Sequence, residues 1–405
     1  MKLQPGPLPP HPTPLPLRGR GKGEGVFEEE LAGLQARDLY RTLHTLENHR
    51  GTHAELEGRE ILLFCSNDYL GLSRHPRVIA ASRHAAKSHG VGAGAARLIS
   101  GTSDLHTRLE TKLAGFKKKE RALVFSAGYL ANLGILTALA GAKDLIVMDK
   151  LCHASIVDGA RLSGATIRVF PHKNYARCRE ILEKSADFQR KILVSDTVFS
   201  MDGDLADLGL LVGLKEKYGC LLAVDDAHGT GVLGLTGRGA AEDAGLEGKI
   251  DIVMGTLSKA LGCLGGFAAG SGTMIEYLVN RARPFIFATA LPPVLCAAAL
   301  EALGVIEEEP ALRHKLWQNV QKVHEGLARL GLEPAPITFP IFPVLIGGEK
   351  EAVKASELLL KEGILIPAVR TPTVPKGKAR LRLTVSAAHR DEDIEKLLRA
   401  LSEIR

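Results

Sequence analysis

Polar and ionisable residues follow five short apolar runs in the middle of the sequence. Each run has the length of a buried strand, and the residues after it include glycines, hydroxyls, imidazoles, carboxylates or a lysine. In an open parallel sheet, ligands bind beyond the carboxyl ends of the strands, so groups at several strand ends can surround one ligand. We therefore expect a pocket for a polar, anionic ligand, lined by residues 126–129, 152–155, 200–204, 225–231 and 256–259.

Asp225 and Lys259 carry the most direct chemistry in this set. A carboxylate that closes an apolar strand is costly to bury without a cation or several donors, so an ion pair between Asp225 and Lys259 is the simplest prediction. Desolvation after a buried strand would also lower the pKa of Lys259 and free a neutral amine to attack a carbonyl. Taken alone, such a pair is equally compatible with a structural role. The second acid, imidazole and glycines within residues 225–231 favour a site.

Pyridoxal 5'-phosphate is the cofactor that matches these groups. It needs a lysine amine, a carboxylate opposite its ring nitrogen, and hydroxyls with backbone N–H groups for its phosphate. The sequence places no GxxxxGK[ST] string before a helix, and its glycines at 90, 92 and 94 follow a helix-like stretch rather than a strand, so nucleotide-binding loops are not supported. No metal is expected, because no histidine accompanies Asp202 and Asp204 at a ligand spacing.

The elements that must position these residues alternate regularly. Between about residues 57 and 287, strand-like runs are separated by helical or glycine-rich stretches of helix length, which predicts crossover connections and a mostly parallel sheet covered on both faces. The strand candidates are residues 122–125, 144–148, 166–170, 191–194, 220–224 and 251–254.

Four regions follow from the pattern. Residues 1–24 are rich in proline and glycine and are predicted to be a disordered extension. Residues 25–65 form an N-terminal segment with a helix over about 27–49, and residues 66–291 form the large cofactor-binding domain. Residues 292–405 form a small α+β domain, whose long first helix has apolar residues recurring from Leu312 to Leu330.

Composition sets broader limits. The chain has 405 residues, 45% hydrophobic and 24% charged, which predicts a globular protein. It has no run of eighteen apolar residues and no signal-like start, so we expect no membrane segment, a cytoplasmic location and six reduced cysteines. The net charge of +6 is scattered and only 5% of residues are aromatic, so no nucleic-acid surface is expected.

Several strings together resemble the α-oxoamine synthases, which belong to fold-type I of the pyridoxal-phosphate-dependent transferases. The resemblance runs from about residue 28 to the end and implies an α/β fold: a large, mostly parallel-sheet domain, with a smaller α+β domain formed by the C-terminal region and the N-terminal segment. The strings are SNDYLGL (66–72), ISGT with His106, CHAS (152–155), FSMDGD (199–204), VDDAHGTGVLG (224–234), TLSKALG (256–262) and KARLRLT (378–384).

The resemblance implies a role for each matching position at the cofactor. Lys259 would hold it as a Schiff base and then act as a base, Asp225 would keep the ring nitrogen protonated, and His153 would lie against the ring face. The other cofactor-binding residues implied are His228 at the phenolic oxygen, Ser200 beside the ring, and Gly128, Tyr129, Thr256 and the partner subunit's Thr289 at the phosphate.

The resemblance also implies substrates. Residues 370–375, RTPTVP, are most similar to members that condense L-alanine with a pimeloyl thioester, carried by CoA or acyl carrier protein, in biotin biosynthesis, and these act as homodimers. His153 would also face the substrate, Asn67 and Arg370 would bind the amino-acid carboxylate, and Arg41 and Thr373 would contact the acyl substrate. Arg380 and Arg382 alternate on a strand and could form a solvated face.

Two other functions stay open at this stage. A sister synthase that uses glycine, such as 2-amino-3-ketobutyrate CoA ligase, would share the cofactor site and differ in its substrate pocket. A non-catalytic subunit of the same fold is also possible, although the presence of Lys259, Asp225 and His228 argues against it.

Overall fold

The computed structural model describes residues 24–332 and 336–403. The disorder predicted for residues 1–24 lies outside the described residues, except at Glu24, where the first helix begins. The strands are β1 Glu47–Arg50, β2 His53–Leu56, β3 Arg59–Leu63, β4 Arg121–Phe125, β5 Leu145–Asp149, β6 Thr166–Phe170, β7 Lys191–Asp196, β8 Leu221–Asp225, β9 Ile252–Thr256, β10 Gly266–Gly270, β11 Ile341–Gly347, β12 Ile364–Leu365, β13 Ala368–Val369 and β14 Ala379–Thr384. The α-helices are α1 Glu24–Ala36, α2 Pro76–His89, α3 Asp104–Phe116, α4 Gly128–Leu139, α5 Ala154–Ser163, α6 Tyr175–Glu183, α7 Leu208–Tyr218, α8 Ala240–Asp243, α9 Gly272–Arg281, α10 Arg283–Ile286, α11 Pro293–Glu308, α12 Ala311–Arg329, α13 Glu349–Lys361 and α14 Asp391–Glu403.

A seven-stranded sheet forms the centre of the large unit. Its order is β4-β10-β9-β8-β7-β5-β6, and β10 is antiparallel to both of its neighbours while the other pairs are parallel. Alternate residues of its strands pack on opposite faces, with Leu145 and Val147 in one apolar cluster and Ile146 and Met148 in another. The predicted mostly parallel sheet, covered on both faces, is confirmed.

The six predicted strands of this sheet are confirmed, and β10 is the one that sequence reasoning missed. Its sequence, GFAAG, has little β propensity. Its place in the sheet depends on close packing, because a Cβ added at Gly255 would lie 2.2 Å from the ring of Phe267. The small residues therefore mark a place where backbones and one aromatic ring pack closely.

Two smaller sheets form the α+β unit. The order β11-β14-β13 is antiparallel, and β1-β2-β3-β12 combines the N-terminal strands with one C-terminal strand. The backbone N–H of Thr384 donates to the carbonyl of Phe64 at 2.9 Å, which joins the two sheets. The prediction that the N-terminal segment and the C-terminal region form one smaller domain is confirmed.

The helix predicted over residues 27–49 is wrong beyond Ala36. Asp38 has a φ of 56°, which a continuing helix does not permit, and β1 starts at Glu47. Arg41 therefore lies on an irregular segment rather than on a helix.

The domain boundary expected at residue 292 has a better candidate nearby. Helix α11 packs against α2 and α3 of the large unit, and the chain breaks its helical course between Glu309 and Pro310 before α12 starts. We therefore propose the boundary at residues 309–310. Among the helices of residues 24–332 and 336–403, none has the length and apolarity needed to cross a membrane.

Candidate active site

The strand ends of the large sheet bring Lys259, Asp225 and His153 within electrostatic range of one another. Asp225 ends β8, Lys259 follows the adjacent strand β9, and His153 precedes α5. The Asp225 carboxylate acts on the pKa values of both Lys259 and His153. The structure therefore brings together the three residues expected to be catalytic.

The amine of Lys259 has a lowered pKa. Burial lowers this pKa from 10.5 to about 8, while the carboxylates of Asp225 and Asp196 oppose the shift and the Arg382 guanidinium adds to it. At pH 7 about a tenth of such an amine is neutral, against fewer than about one in a thousand for an ordinary lysine. The group is thus suited to attack a carbonyl carbon.

The predicted ion pair between Asp225 and Lys259 is wrong. Asp225 Oδ2 accepts a hydrogen bond of 2.7 Å from the side-chain amide of Asn132, and Oδ1 accepts one of 2.9 Å from the backbone N–H of Ala227. These neutral donors stabilise the carboxylate without neutralising its charge. Asp225 therefore remains able to face a cationic group such as a protonated pyridine nitrogen.

His153 occupies the N-cap of α5. Its backbone N–H donates to Asp196 Oδ2 at 2.9 Å, and its Nδ1 lies 2.7 Å from the hydroxyl of Ser155. Burial lowers the pKa of the imidazole, and the charge of Lys259 lowers it further, against the opposing effect of Asp225 and Asp158. The ring is therefore held neutral at physiological pH.

A buried group of rings surrounds His228. Its Nδ1 lies 2.8 Å from the hydroxyl of Tyr69, and both side chains pack edge-on against Phe339. Burial places the pKa of His228 well below its ordinary value, and burial raises the pKa of Tyr69 to about 12. Tyr69, from the string SNDYLGL, was not expected to support the site.

The β4–α4 turn forms the cradle expected for a phosphate. A Cβ added at Gly128 would lie 3.2 Å from Thr256 Oγ1, and one added at Gly266 would lie 2.5 Å from the Cα of Gly128. Helix α4 begins at this point, so its first N–H groups and its dipole favour an anion. Tyr129 directs its hydroxyl to the exposed side, where it donates to Asp158, so only its backbone can serve the cradle.

The expectation that Arg380 and Arg382 form a solvated face is wrong, because both are buried. Strand β14 is the central strand of its sheet, between β11 and β13, which leaves it no solvated face. Arg382 donates to the carbonyl of Ser200 at 2.5 Å and to Oδ1 of Asn67 at 3.2 and 3.3 Å, and Arg380 forms an ion pair with Asp202. Arginines alternating with leucines on a central strand were the signal available for this.

The expected substrate residues separate into two groups. Asn67 and Ser200 meet at Arg382, whereas Arg370 donates to the carbonyls of Asp38 and Tyr40 in the N-terminal segment, the latter at 3.2 Å. Three further expected residues are exposed: Arg41, Thr373 and Thr289, the last paired with Ala96 in an isolated β-bridge.

These residues fit pyridoxal phosphate. The cradle at Gly128 and Thr256 suits its phosphate, the unpaired charge of Asp225 suits its ring nitrogen, and the amine of Lys259 suits its aldehyde. In residues 24–332 and 336–403, no group of three or more His, Cys, Asp or Glu side chains is placed to hold a metal ion.

Curated relatives share almost the whole chain. A putative 8-amino-7-oxononanoate synthase from Desulforudis audaxviator is 48% identical over 93% of this chain and 97% of its own length. The 8-amino-7-oxononanoate synthase from Geotalea daltonii is 47% identical over the same shares of the two chains. The family model for aminotransferase class I and II matches residues 59–401.

Solved structures agree with this. Serine palmitoyltransferase from S. paucimobilis, solved with bound PLP, superposes with a TM-score of 0.90 at 31% identity, covering 95% of this chain and 98% of that one. The 8-amino-7-oxononanoate synthase from Francisella tularensis gives a TM-score of 0.73 at 30% identity, covering 85% and 97%. The chain therefore belongs to the aminotransferase class I and II family and is a pyridoxal-phosphate-dependent enzyme of fold-type I.

Proposed function

We propose that this enzyme condenses L-alanine with a pimeloyl thioester to give 8-amino-7-oxononanoate, CO2 and the free thiol carrier, CoA or acyl carrier protein, in biotin biosynthesis. The observation that supports this most directly is the set of relatives named 8-amino-7-oxononanoate synthase, 41–48% identical over 92–93% of the chain. A cytoplasmic location is part of the proposal.

The cofactor roles in this proposal follow the contacts in the site. Pyridoxal phosphate, when bound, supplies an aldehyde for an amine and an electron-poor ring that stabilises negative charge at the amino-acid Cα. Asp225 would face the ring nitrogen, and His153 the ring face. The remaining cofactor ligands would be His228 at the phenolic oxygen, Ser200 beside the ring, and Gly128, Tyr129 and Thr256 at the phosphate.

Lys259 would move the proton at the alanine Cα. Its pKa of about 8 lets the amine accept a proton near neutral pH and return it at the end of the reaction. Asp196 and Asp225 stabilise the ammonium form, and Arg382 opposes it. The lysine is therefore balanced between its two protonation states.

Arg382 and Asn67 offer the most suitable place for the alanine carboxylate. The guanidinium of Arg382 has five N–H groups, and its contacts with Ser200 and Asn67 leave donors for a carboxylate. Arg370 stays a proposed carboxylate ligand only through the resemblance, and Arg41 and Thr373 stay proposed contacts of the acyl substrate. We also propose a homodimer in which the partner subunit's Thr289 reaches the phosphate.

A second candidate has support from the fold comparison. Serine palmitoyltransferase superposes with a higher TM-score than the 8-amino-7-oxononanoate synthase from Francisella tularensis, 0.90 against 0.73. A sister synthase that condenses serine or glycine with another acyl thioester would use the same cofactor residues. Only the amino acid and the acyl chain would differ.

The test is a release assay for thiol and CO2 on the purified enzyme. Alanine, glycine and serine are each offered with pimeloyl-CoA, acetyl-CoA and palmitoyl-CoA, and pimeloyl acyl carrier protein is added as a fourth donor. The proposal expects the highest kcat/KM for alanine with a pimeloyl thioester. A preference for glycine or serine, or for another acyl chain, would replace it with the sister synthase.

A further inference from the structure

A buried chain of hydrogen bonds connects Asp225 to His153. The side-chain amide of Asn132, on α4, donates to Asp225 Oδ2 at 2.7 Å and to Ser155 Oγ at 2.9 Å. The Ser155 hydroxyl in turn lies 2.7 Å from His153 Nδ1. Asn132, Ser155 and Asp225 are all buried, with Ser155 fully so, which keeps water from competing for these bonds.

The donors and acceptors in this chain allow one arrangement. The Asn132 nitrogen carries two hydrogens, and one goes to each of its two partners. The Ser155 oxygen accepts one of them, so its single hydrogen is left to donate to His153 Nδ1. The backbone N–H of Ser155 approaches the same nitrogen at 3.3 Å. Nδ1 is therefore an acceptor, and the ring proton of neutral His153 is on Nε2.

We propose that Asn132 and Ser155 are positioning residues that orient Asp225 and His153 as one unit and fix His153 in the Nε2–H tautomer. The inference rests on the proposed function, in which Asp225 faces the ring nitrogen of the cofactor and His153 its ring face. Neither positioning residue needs to touch the cofactor. Each acts through the residue to which it donates.

Helix α4 links this unit to the phosphate cradle. Gly128 at its start and Asn132 are four residues apart, so they share one face of the helix. The same rigid helix therefore sets the position of the phosphate cradle and the direction of the Asp225 carboxylate. A ligand held at both ends by one helix loses little freedom on binding, because the two contacts are arranged in advance.

Ser155→Ala is the first test, with Ser163→Ala as its matched control on the same helix α5. The hydroxyl of Ser163 donates to the carbonyl of Ala160 and has no part in the chain. At pH 8 the side-chain nitrogens of 15N-labelled histidine report the tautomer, and the His153 signals are assigned by their loss in His153→Gln. We expect the wild type and Ser163→Ala to show Nε2–H alone, and Ser155→Ala to show both tautomers.

Cofactor affinity gives a second readout on the protein freed of pyridoxal phosphate. Loss of one neutral hydrogen bond in Ser155→Ala should weaken binding about threefold to tenfold, and loss of the donor to a carboxylate in Asn132→Leu about tenfold to a hundredfold. Because the bonds form one chain, the double variant should bind within about twofold of Asn132→Leu. Asn132→Leu gives the same readouts if Ser155→Ala does not fold.

An unchanged His153 tautomer in Ser155→Ala, or affinity losses that multiply in the double variant, would overturn the inference. These outcomes do not depend on the substrate. A preference for glycine or serine in the release assay would instead remove the proposed function and leave the positioning roles in place.

Discussion

Lys259 and Arg382 carry the chemistry that is most sensitive to a single residue. The first is a half-buried amine with a pKa of about 8, and the second is a buried guanidinium with donors to spare. Both lie near Asp225, and the electrostatic effects of these three groups on one another have opposite signs. Two predictions follow from those signs.

The capture of pyridoxal phosphate by the cofactor-free enzyme should depend on pH through Lys259. Only the neutral amine attacks the aldehyde, so the rate should rise with pH and level off above about 8. Asp225 raises the pKa of Lys259, so Asp225→Asn should move the midpoint to lower pH. Stopped-flow absorbance of the cofactor measures both. A midpoint near 10 in the wild type would show that the amine is not desolvated.

Substitution of Arg382 should weaken the apparent affinity for the amino acid more than substitution of Arg370. In Arg382→Gln we expect the KM for alanine to rise at least about tenfold, since a charged hydrogen bond to a carboxylate is lost. Arg370→Gln is the matched control, because its guanidinium contacts the carbonyls of Asp38 and Tyr40. Steady-state kinetics decides between them. A larger effect at Arg370 would favour the role that the resemblance implies.

At the scale of elements, the loop of residues 199–204 connects the two units. Its Ser200 carbonyl and Asp202 side chain hold Arg382 and Arg380 of β14, and Asp204 reaches back to His172 on the large unit. His172 donates from Nδ1 to Asp149 and from Nε2 to Asp204, both at 3.0 Å. Two ionised carboxylates accept from both ring nitrogens, so the imidazole is charged in the folded protein.

His172 should make stability depend on pH. The carboxylates of Asp149 and Asp204 raise its pKa from 6.5 to about 9 against the effect of burial. A raised pKa stabilises the fold fully below pH 6.5, and that contribution, up to about 3 kcal/mol, is lost as the pH rises through 9. The free energy of unfolding should therefore fall more steeply between pH 6.5 and 9 in the wild type than in His172→Gln. The exposed His44→Gln is the control, and equal slopes in all three proteins would contradict the assignment.

The sequence predicted those parts of the site that follow directly from strand ends. Lys259, Asp225, His153 and Gly128 come after apolar runs, and the topology of a parallel sheet suffices to bring them together. Arg382 could not be placed in this way, because it reaches the site from another sheet through contacts distant in sequence. Asn132 was missed for a related reason: an amide inside an apolar helix gives no sign of the carboxylate that it will meet.

At the scale of the whole molecule, Phe64 joins elements from both ends of the chain. It is fully buried and stacks on His389 with ring centroids 4.0 Å apart. Its backbone pairs with Leu365 beside β12 and with Thr384 on β14. The two smaller sheets are thus connected through one residue directly before the SNDYLGL segment, which supplies Asn67 and Tyr69 to the site.

Phe64→Ala should therefore affect both stability and the substrate site. Removal of a buried aromatic side chain typically costs about 3–5 kcal/mol of unfolding free energy, because it leaves a cavity and here also removes a stacking partner of His389. Urea unfolding followed by circular dichroism measures the loss, with Leu43→Ala, at a side chain that is 99% exposed, as the neutral control. Because Asn67 follows three residues later and contacts Arg382, the KM for alanine should rise as well, while the affinity for pyridoxal phosphate, held by the large sheet, should change little. A variant that loses both affinities equally would show that Phe64 supports the large unit rather than the joint between the sheets.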